Sequence, residues 1–149
     1  MAKTAKTPLR KVDELLAHYG KSHTNSTNEI IHFAAIPLIM LSIVGLMYAL
    51  HPWVAFAFMA ASMVYYARLS TVFLVAMVVW STILYWLILQ MGDQVWQTSL
   101  IIFIGAWIAQ FYGHHVEGKK PSFFEDIQYL WVGPLFVLSK LFIKLEIKW

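Results

Sequence analysis

Long apolar stretches separated by short polar breaks dominate this chain. They predict four membrane-spanning helices, at residues 30–50, 53–67, 72–89 and 95–112. A spanning helix needs about 20 mainly apolar residues, so the second stretch is short for this role. The breaks are the His51-Pro52 step, Arg68 and the polar run 90–94. The pattern therefore predicts an all-α, integral membrane helical bundle that is packed as two hairpins.

An amphipathic helix is predicted before the first span. Thr7-Pro8 resembles a helix start, with threonine as the N-cap and proline at the first helical position. One apolar stripe follows at helical spacing: Leu9, Val12, Leu15, Leu16 and Tyr19. We expect this helix to lie on the membrane or over the functional site.

The C-terminal stretch 123–142 is apolar but contains Gly133-Pro134. Lys140, Lys144 and Lys148 follow at a spacing of four, and a fifth crossing would place them on the outer face. We therefore predict a bent interfacial or re-entrant helix rather than another span. With this segment, residues 1–149 form a single membrane-embedded domain.

Composition supports a membrane protein and excludes several kinds of site. The chain is 60% hydrophobic and 13% charged, against about 25% charged residues in soluble domains. It has no cysteine, which excludes disulfides, iron–sulfur clusters and thiolate zinc sites. The net charge is +3, but the basic residues flank apolar segments, which favours contact with membrane lipid over nucleic acid. The sequence contains no signal for a particular oligomeric state.

The basic residues predict a topology. Up to Lys120, every lysine and arginine lies before span one, between spans two and three, or after span four. The positive-inside rule places these segments in the cytoplasm. The polar N-terminal residues before position 30 contain no cleavable signal, so the N-terminus is expected to stay there too. The protein would then be multi-pass in a bacterial inner membrane or the endoplasmic reticulum.

The first candidate cluster opens the first span and contains His23, Asn25, Asn28 and His32. Asn28 is predicted to cap the first membrane helix, and contact with the site is the alternative. His32 would then lie in the first turns of that helix, just inside the membrane edge. His23 lies upstream, on a connection that could fold back and bring both imidazoles to one point.

The second cluster closes the fourth span. Gln110 and His114 stand four residues apart on one helical face, and Glu117 follows three residues after His114. If the helix continues through residue 116, His114 and Glu117 can converge on one ion. His115 points about 100° away from His114 and is a second choice. Because an even number of crossings separates the clusters, they would share one membrane face.

These groups leave several kinds of function open. Without cysteine, a metal would be bound by imidazole, carboxylate or water, which suits iron(II), zinc or manganese. The histidines could instead anchor the helices at the interface or carry protons in a small transporter or lipid-binding protein. Haem with His32 and His114 as axial ligands is a third possibility. His18 and His51 are interpreted as an interfacial side chain and a turn residue.

The two clusters resemble the paired motifs of the Mpo1-like family. The first is His23-x-Asn25-x-x-Asn28-x-x-x-His32 followed by Ile36-Pro37-Leu38. The second is Gln110-Phe-x-Gly113-His114-x-x-Glu117-Gly-Lys-x-Pro121-Ser-Phe, with Gly133-Pro134-Leu135-Phe136 further on. The resemblance covers about residues 8–145 and is specific because both motifs occur together.

The resemblance implies an iron(II)-dependent dioxygenase of 2-hydroxy fatty acids. Such an enzyme uses O₂ to shorten the acyl chain by one carbon and releases CO₂, as in fatty acid α-oxidation. It implies His23, His32 and His114 as Fe(2+) ligands, with Glu117 as a fourth ligand or a partner of the ligands. Asn28, Gln110, Lys119 and Lys120 are further substrate-binding candidates, and Lys21 or Arg10 could also neutralise the substrate carboxylate.

Overall fold

The computed structural model describes residues 10–118, 127 and 129–149, and these form helices with no strand among them. The helices are α1 (Lys11–Gly20), α2 (Ser26–Leu50), α3 (Pro52–Ala67), α4 (Thr71–Gln90), α5 (Val95–Val116) and α6 (Val132–Lys144). A short 3₁₀ turn, Gly92–Gln94, joins α4 to α5. The predicted all-α class is confirmed for the described part of the chain.

Three apolar helical segments are long enough to cross a bilayer. They are Ser26–Leu50, Thr71–Gln90 and Gly92–Val116. α3 is apolar but has only 16 residues, or about 24 Å, against a hydrocarbon core of about 30 Å. Helices therefore stand at all four predicted positions, and three of them have spanning length.

The bundle exposes large apolar side chains on its outside. Trp53, Trp86, Ile101 and Ile108 are between 59% and 71% exposed. Soluble proteins rarely leave such large apolar surfaces in water. Together with the three long helices, this surface indicates a membrane protein whose outer face meets lipid.

α2 is the central helix, and its most extensive contact is with α5. Small residues allow the two backbones to approach closely. A Cβ atom at Gly45 would lie 2.1 Å from Ser99 Oγ, and one at Gly113 would lie 2.5 Å from Asn28 Oδ1. Close approach at small residues is a common way for membrane helices to associate. It brings the end of α5 against the start of α2.

α1 begins at Lys11, because Arg10 is the N-cap and has an extended backbone. The predicted start at Thr7-Pro8 lies outside the described residues. Val12 and Tyr19, from the predicted apolar stripe, are buried, and α1 packs against α6. The helix therefore covers the bundle rather than lying alone on the membrane surface.

α6 differs from the prediction at Gly133-Pro134, which lies in its first turn and does not interrupt it. Proline is tolerated there because first-turn amides have no partner within the helix. With 13 residues, or about 20 Å, α6 is too short to span. Trp131 fixes its start, since its indole donates to Ser62 Oγ and its carbonyl accepts from Tyr66. Residues 123–126 and 128 of the predicted re-entrant stretch lie outside the described residues.

The N-cap of α2 is Asn25, so the prediction that Asn28 caps this helix is wrong. Asn25 has an extended backbone, and its side chain accepts hydrogen bonds from the amides of Thr27 and Asn28. The first helical residue is therefore Ser26. Asn28 falls within the first turn, and its side chain is free to face α5.

Candidate functional site

Three histidine rings meet where the start of α2, the end of α5 and the loop after α1 come together. His23 comes from that loop, His32 from α2 and His114 from α5. The ring centroids are 4.3 Å apart for His23 and His32, 5.0 Å for His32 and His114, and 6.0 Å for His23 and His114. All three side chains are buried. Histidines from two distant parts of the sequence thus form one compact group, called the histidine cluster below.

Two members of the histidine cluster have a fixed tautomer. His23 Nδ1 lies 2.8 Å from the carbonyl oxygen of Tyr19, and His32 Nδ1 lies 2.9 Å from that of Asn28. A carbonyl oxygen can only accept, so each Nδ1 carries the proton and each neutral ring keeps its lone pair on Nε2. Among the described residues, nothing hydrogen-bonds to the buried Nε2 of His32. This nitrogen is a metal-ligand candidate, because the hydrogen bond at Nδ1 keeps the lone pair on Nε2.

Aromatic side chains hold the His23 ring in place. Tyr19 stacks on it with a centroid distance of 4.2 Å and an interplanar angle of 11°. Phe136 of α6 lies against it at 5.5 Å. Neither residue was a site candidate in the sequence. For Tyr19 the available signal was its position four residues before His23, whereas Phe136 is near only because α6 folds back.

Glu117 joins the His23 loop to the end of α5. Its Oε1 accepts from the amide of Thr24 at 2.9 Å and also from the Thr24 hydroxyl. Its Oε2 accepts from the amide of Asn25 at 2.9 Å and from Asn28 Nδ2 at 3.1 Å. We call this set of hydrogen bonds the Glu117 clamp. It occupies both carboxylate oxygens, which suits a residue that supports the ligands better than one that binds an ion directly.

The Glu117 clamp keeps this carboxylate ionised. Burial alone would raise the pKa of Glu117, but the hydrogen bonds from Thr24, Asn25 and Asn28 outweigh it and lower the pKa to about 2. Hydrogen bonds to the charged form of a carboxylate stabilise that form. Glu117 therefore carries a full negative charge beside the histidine cluster throughout the physiological pH range.

Gln110 lies one turn before His114 and is buried. Its Oε1 is buried and has no hydrogen-bond partner within the described part of the chain. It lines a small cavity of about 20 Å³ together with residues that include Tyr19, Trp107 and Tyr129. A cavity of that size holds about one water molecule. The Gln110 amide oxygen is thus a hydrogen-bond acceptor next to the histidine cluster that a bound molecule could use.

The remaining candidates lie away from the histidine cluster or outside the described residues. His115 and His18 are exposed, although His18 stacks on Tyr129. His51 is the N-cap of α3, since its Nδ1 accepts from the amide of Trp53. Arg10 pairs with Asp13. Lys119 and Lys120 are not among the described residues.

The histidine cluster is not a preformed metal site. Within residues 10–118, 127 and 129–149, no three His, Asp or Glu side chains stand in an arrangement that could hold a metal ion. The ring centroids lie within 6.0 Å of one another, but this closeness alone does not make a metal site. Any ion shared by these residues requires the side chains to rotate.

A family profile described as "2-hydroxy-palmitic acid dioxygenase Mpo1-like" matches residues 9–145 of the chain. The chain belongs to the Mpo1-like family. The matched region contains the whole histidine cluster and the Glu117 clamp. No curated protein and no solved structure matches the chain. For this Mpo1-like chain the family description indicates a dioxygenase-like enzyme that acts on a 2-hydroxy fatty acid.

Proposed function

We propose that this protein is an iron(II)-dependent dioxygenase that converts 2-hydroxy fatty acids to fatty acids one carbon shorter. The observation that carries the proposal is the histidine cluster. Three buried imidazoles from two distant parts of the chain have ring centroids within 6.0 Å of one another, inside a member of a dioxygenase-like family. Burying imidazoles in a membrane bundle costs free energy, and residues that carry this cost are usually functional. This favours a role as metal ligands over simple anchoring.

The residues fit iron in their donor chemistry. His23 and His32 keep their lone pairs on Nε2, and the buried Nε2 of His32 has no partner in the described structure. With a metal–nitrogen bond of about 2.0–2.1 Å, two imidazole centroids on one ion lie at most roughly 6.5 Å apart. The three observed separations are shorter than this limit. His23, His32 and His114 would therefore hold the ion after side-chain rotation.

The overall reaction balances without an added reductant. A 2-hydroxy acid and O₂ give a fatty acid one carbon shorter, CO₂ and water. The C1–C2 bond breaks, C1 leaves as CO₂, and C2 becomes the new carboxyl carbon. The substrate loses four electrons and O₂ gains four. Bound iron(II) would activate O₂ and provide a template for the substrate oxygens.

The protein's own residues would orient the reactants and exclude water. The Glu117 clamp fixes the His23 loop against α5. The buried Asn28 of α2 also donates to Glu117, so α2 is held in the same arrangement. Gln110 Oε1, one turn from His114, could accept a hydrogen bond from the substrate hydroxyl. Lys119 and Lys120 follow the clamp in sequence and would supply positive charge for the substrate carboxylate. Tyr19 and Phe136, which pack against the His23 ring, would help to exclude bulk water.

The direct test uses protein purified anaerobically in detergent. Iron per chain is measured first, and then 2-hydroxypalmitate labelled with ¹³C at C1 is supplied with O₂. We expect about one iron per chain, and the fifteen-carbon acid and ¹³CO₂ in equal amounts. Chelation should abolish turnover, and iron(II) should restore it. Turnover that survives full removal of iron would contradict the proposal, and a Soret band would instead support haem.

Variants then test the histidine cluster itself. His23→Ala, His32→Ala and His114→Ala should each lose bound iron and lower turnover by at least about 100-fold. His115→Ala is the matched control, because this neighbour of His114 is exposed. It should retain both iron and activity. Helix content from circular dichroism shows whether a variant has failed to fold.

We also propose that the histidine cluster faces the cytoplasm, from the positions of the basic residues. The absence of cysteine makes this testable by single-cysteine labelling. Lys21→Cys should resist a membrane-impermeant thiol reagent in intact cells, whereas Asp93→Cys should react. Equal labelling of both positions would show that α2, α3 and α4 do not all cross the membrane.

A further inference from the structure

A groove of about 520 Å³ opens between the start of α2 and the end of α6. It takes no part in the site described above. Its lining residues are Ser26, Glu29, Ile30 and Phe33 of α2, and Lys140, Leu141, Ile143 and Lys144 of α6. The volume lies within the range of about 300–1,000 Å³ that is typical of small-ligand pockets. We call it the α2/α6 groove.

The polar groups of the α2/α6 groove carry one unbalanced positive charge. Lys140 Nζ lies 2.9 Å from Glu29 Oε1, so these two charges largely cancel. Lys144 stands four residues later on the same helical face. Among the described residues Lys144 has no carboxylate partner. The groove therefore complements one negative charge.

The other walls of the α2/α6 groove are apolar and open outward. Ile30 is 70% exposed and Ile143 is 62% exposed. Ile30 lies on α2, which has membrane-spanning length, so an acyl chain could enter from the bilayer. Charged and apolar groups in one groove match an amphiphile with one anionic head and one tail. A phospholipid brings two tails and a glycerol backbone, which suit a groove of about 520 Å³ less well than a single tail does.

One aromatic residue, Phe136, contacts both a lysine of the α2/α6 groove and a ring of the histidine cluster. Lys140 Nζ lies 5.2 Å above the centre of the Phe136 ring. The centre of the same ring lies 5.5 Å from the centre of the His23 ring. A ligand head held at the lysines would therefore be one aromatic ring away from the candidate iron ligands.

We propose that the α2/α6 groove is a docking site for a long-chain fatty acid, which is held before it reaches the histidine cluster. The carboxylate interacts with Lys144 and, in competition with Glu29, with Lys140. The tail lies along Ile30 and Phe33. Naming the ligand as the enzyme's acyl substrate rests on the proposed function, but binding of a fatty acid can be measured without turnover.

The test uses metal-free protein in phosphatidylcholine nanodiscs. The probe is palmitate with a photoreactive diazirine in its tail and no 2-hydroxyl group, so it cannot be turned over. Labelling should saturate, and mass spectrometry should locate it on Ile30, Phe33, Leu141 or Ile143. This labelling does not depend on iron or on turnover. A protein without the proposed activity could therefore still bind the probe, so the two proposals can fail separately.

Two charge variants test the proposal most directly, because they should change the half-saturating probe concentration in opposite directions. Lys144→Gln should raise the half-saturating probe concentration by about threefold, the size expected for a partly exposed charge pair. Glu29→Gln frees Lys140, so it should lower that concentration by a similar factor. If the Glu29–Lys140 pair served only to hold α6 in place, Glu29→Gln would weaken binding instead. Lys148→Gln, which lies beyond the groove, is the matched control and should have no effect.

Three outcomes would overturn the proposal. The first is labelling that Lys144→Gln leaves unchanged. The second is weaker probe binding in Glu29→Gln. The third is competition by phosphatidylglycerol as strong as that by unlabelled palmitate, which would assign the groove to membrane phospholipid. Competition by palmitate but not by its methyl ester would support the requirement for a carboxylate.

Discussion

Asn28 donates a hydrogen bond of 3.1 Å from its Nδ2 to Glu117 Oε2, which ties the first turn of α2 to the residue after α5. His32 lies one turn beyond Asn28, and His114 lies three residues before Glu117. This bond therefore helps to set the distance between the two helices that carry these histidines. Asn28 is fully buried, so a change that removed its hydrogen bond to Glu117 would leave Nδ2 without water as a replacement partner. Leaving a buried polar group without a partner is costly.

The first prediction concerns the charge of Glu117. Glu117→Gln replaces one acceptor oxygen with an NH₂ group that must face hydrogen-bond donors. We expect a loss of about 1–3 kcal/mol, which lowers the thermal midpoint by about 3–10 °C in detergent. Iron retention should fall as well, because the His23 loop loses its attachment to α5.

Glu14→Gln is the matched control for this variant, because Glu14 is exposed on α1. It should shift the midpoint by less than about 1 °C, as is usual for surface substitutions. Equal midpoints for Glu117→Gln and the wild type would mean that the Glu117 clamp does not stabilise the fold.

The second prediction is that the stability contributed by the Glu117 clamp depends on pH. The folded pKa of Glu117, about 2, lies below its ordinary value of 4.5. The clamp's contribution is therefore fully present above pH 4.5 and is lost as the pH falls toward 2. The difference in midpoint between the wild type and Glu117→Gln should stay constant from pH 7 to 5 and shrink below that. A difference that grows on acidification would contradict the assigned protonation state.

Much of the fold could be predicted from the sequence because membrane helices have a strong local signal. Apolar runs near 20 residues and the breaks at Pro52 and Arg68 gave the positions of α2 to α5. The length of α3 was also visible, since its apolar run is short. Gly133-Pro134 was misleading because proline is unfavourable inside a helix but acceptable in its first turn. The sequence alone does not say where that turn begins.

The candidate site was only partly predictable. Histidines 23, 32 and 114 were selected from their position at the ends of apolar runs and from the family resemblance, and the structure brings their rings together. Thr24 and Phe136 were missed because their roles depend on how distant segments fold back. The role of Asn28 as a cap was a wrong choice between two nearby asparagines. Only the backbone geometry at Asn25 decides which of them precedes the helix.

The third prediction separates those two asparagines. Asn25→Ala removes a cap that serves the amides of Thr27 and Asn28, so it should cost about 0.5–2 kcal/mol. Asn25→Ser should restore most of this stability, because serine also caps helices well. Asn28→Ser should not be rescued in this way, since serine cannot span the distance to Glu117. Thermal midpoints of these variants in detergent check the assignment, and equal losses for both serine variants would contradict it.

The fourth prediction concerns the contact between α2 and α5 at the histidine cluster. In Gly113→Ala the new Cβ would lie 2.5 Å from Asn28 Oδ1 and 3.4 Å from His32 Cε1. Asn28 cannot move aside freely, because its Nδ2 is bound to Glu117 and to the carbonyl of Ser22. We expect the helices to be pushed apart at this end, with a loss of about 1–3 kcal/mol and of bound iron.

Gly105→Ala on the same helix is the matched control for Gly113→Ala. A Cβ there meets nothing within 4 Å among the described residues. Since alanine favours a helix over glycine by up to about 1 kcal/mol, Gly105→Ala should be neutral or stabilising. The two variants make the same chemical change in α5, but the thermal midpoint should fall in Gly113→Ala and stay the same or rise in Gly105→Ala. If both raise it and both retain iron, the close approach of Gly113 to Asn28 does not govern the spacing of the histidine cluster.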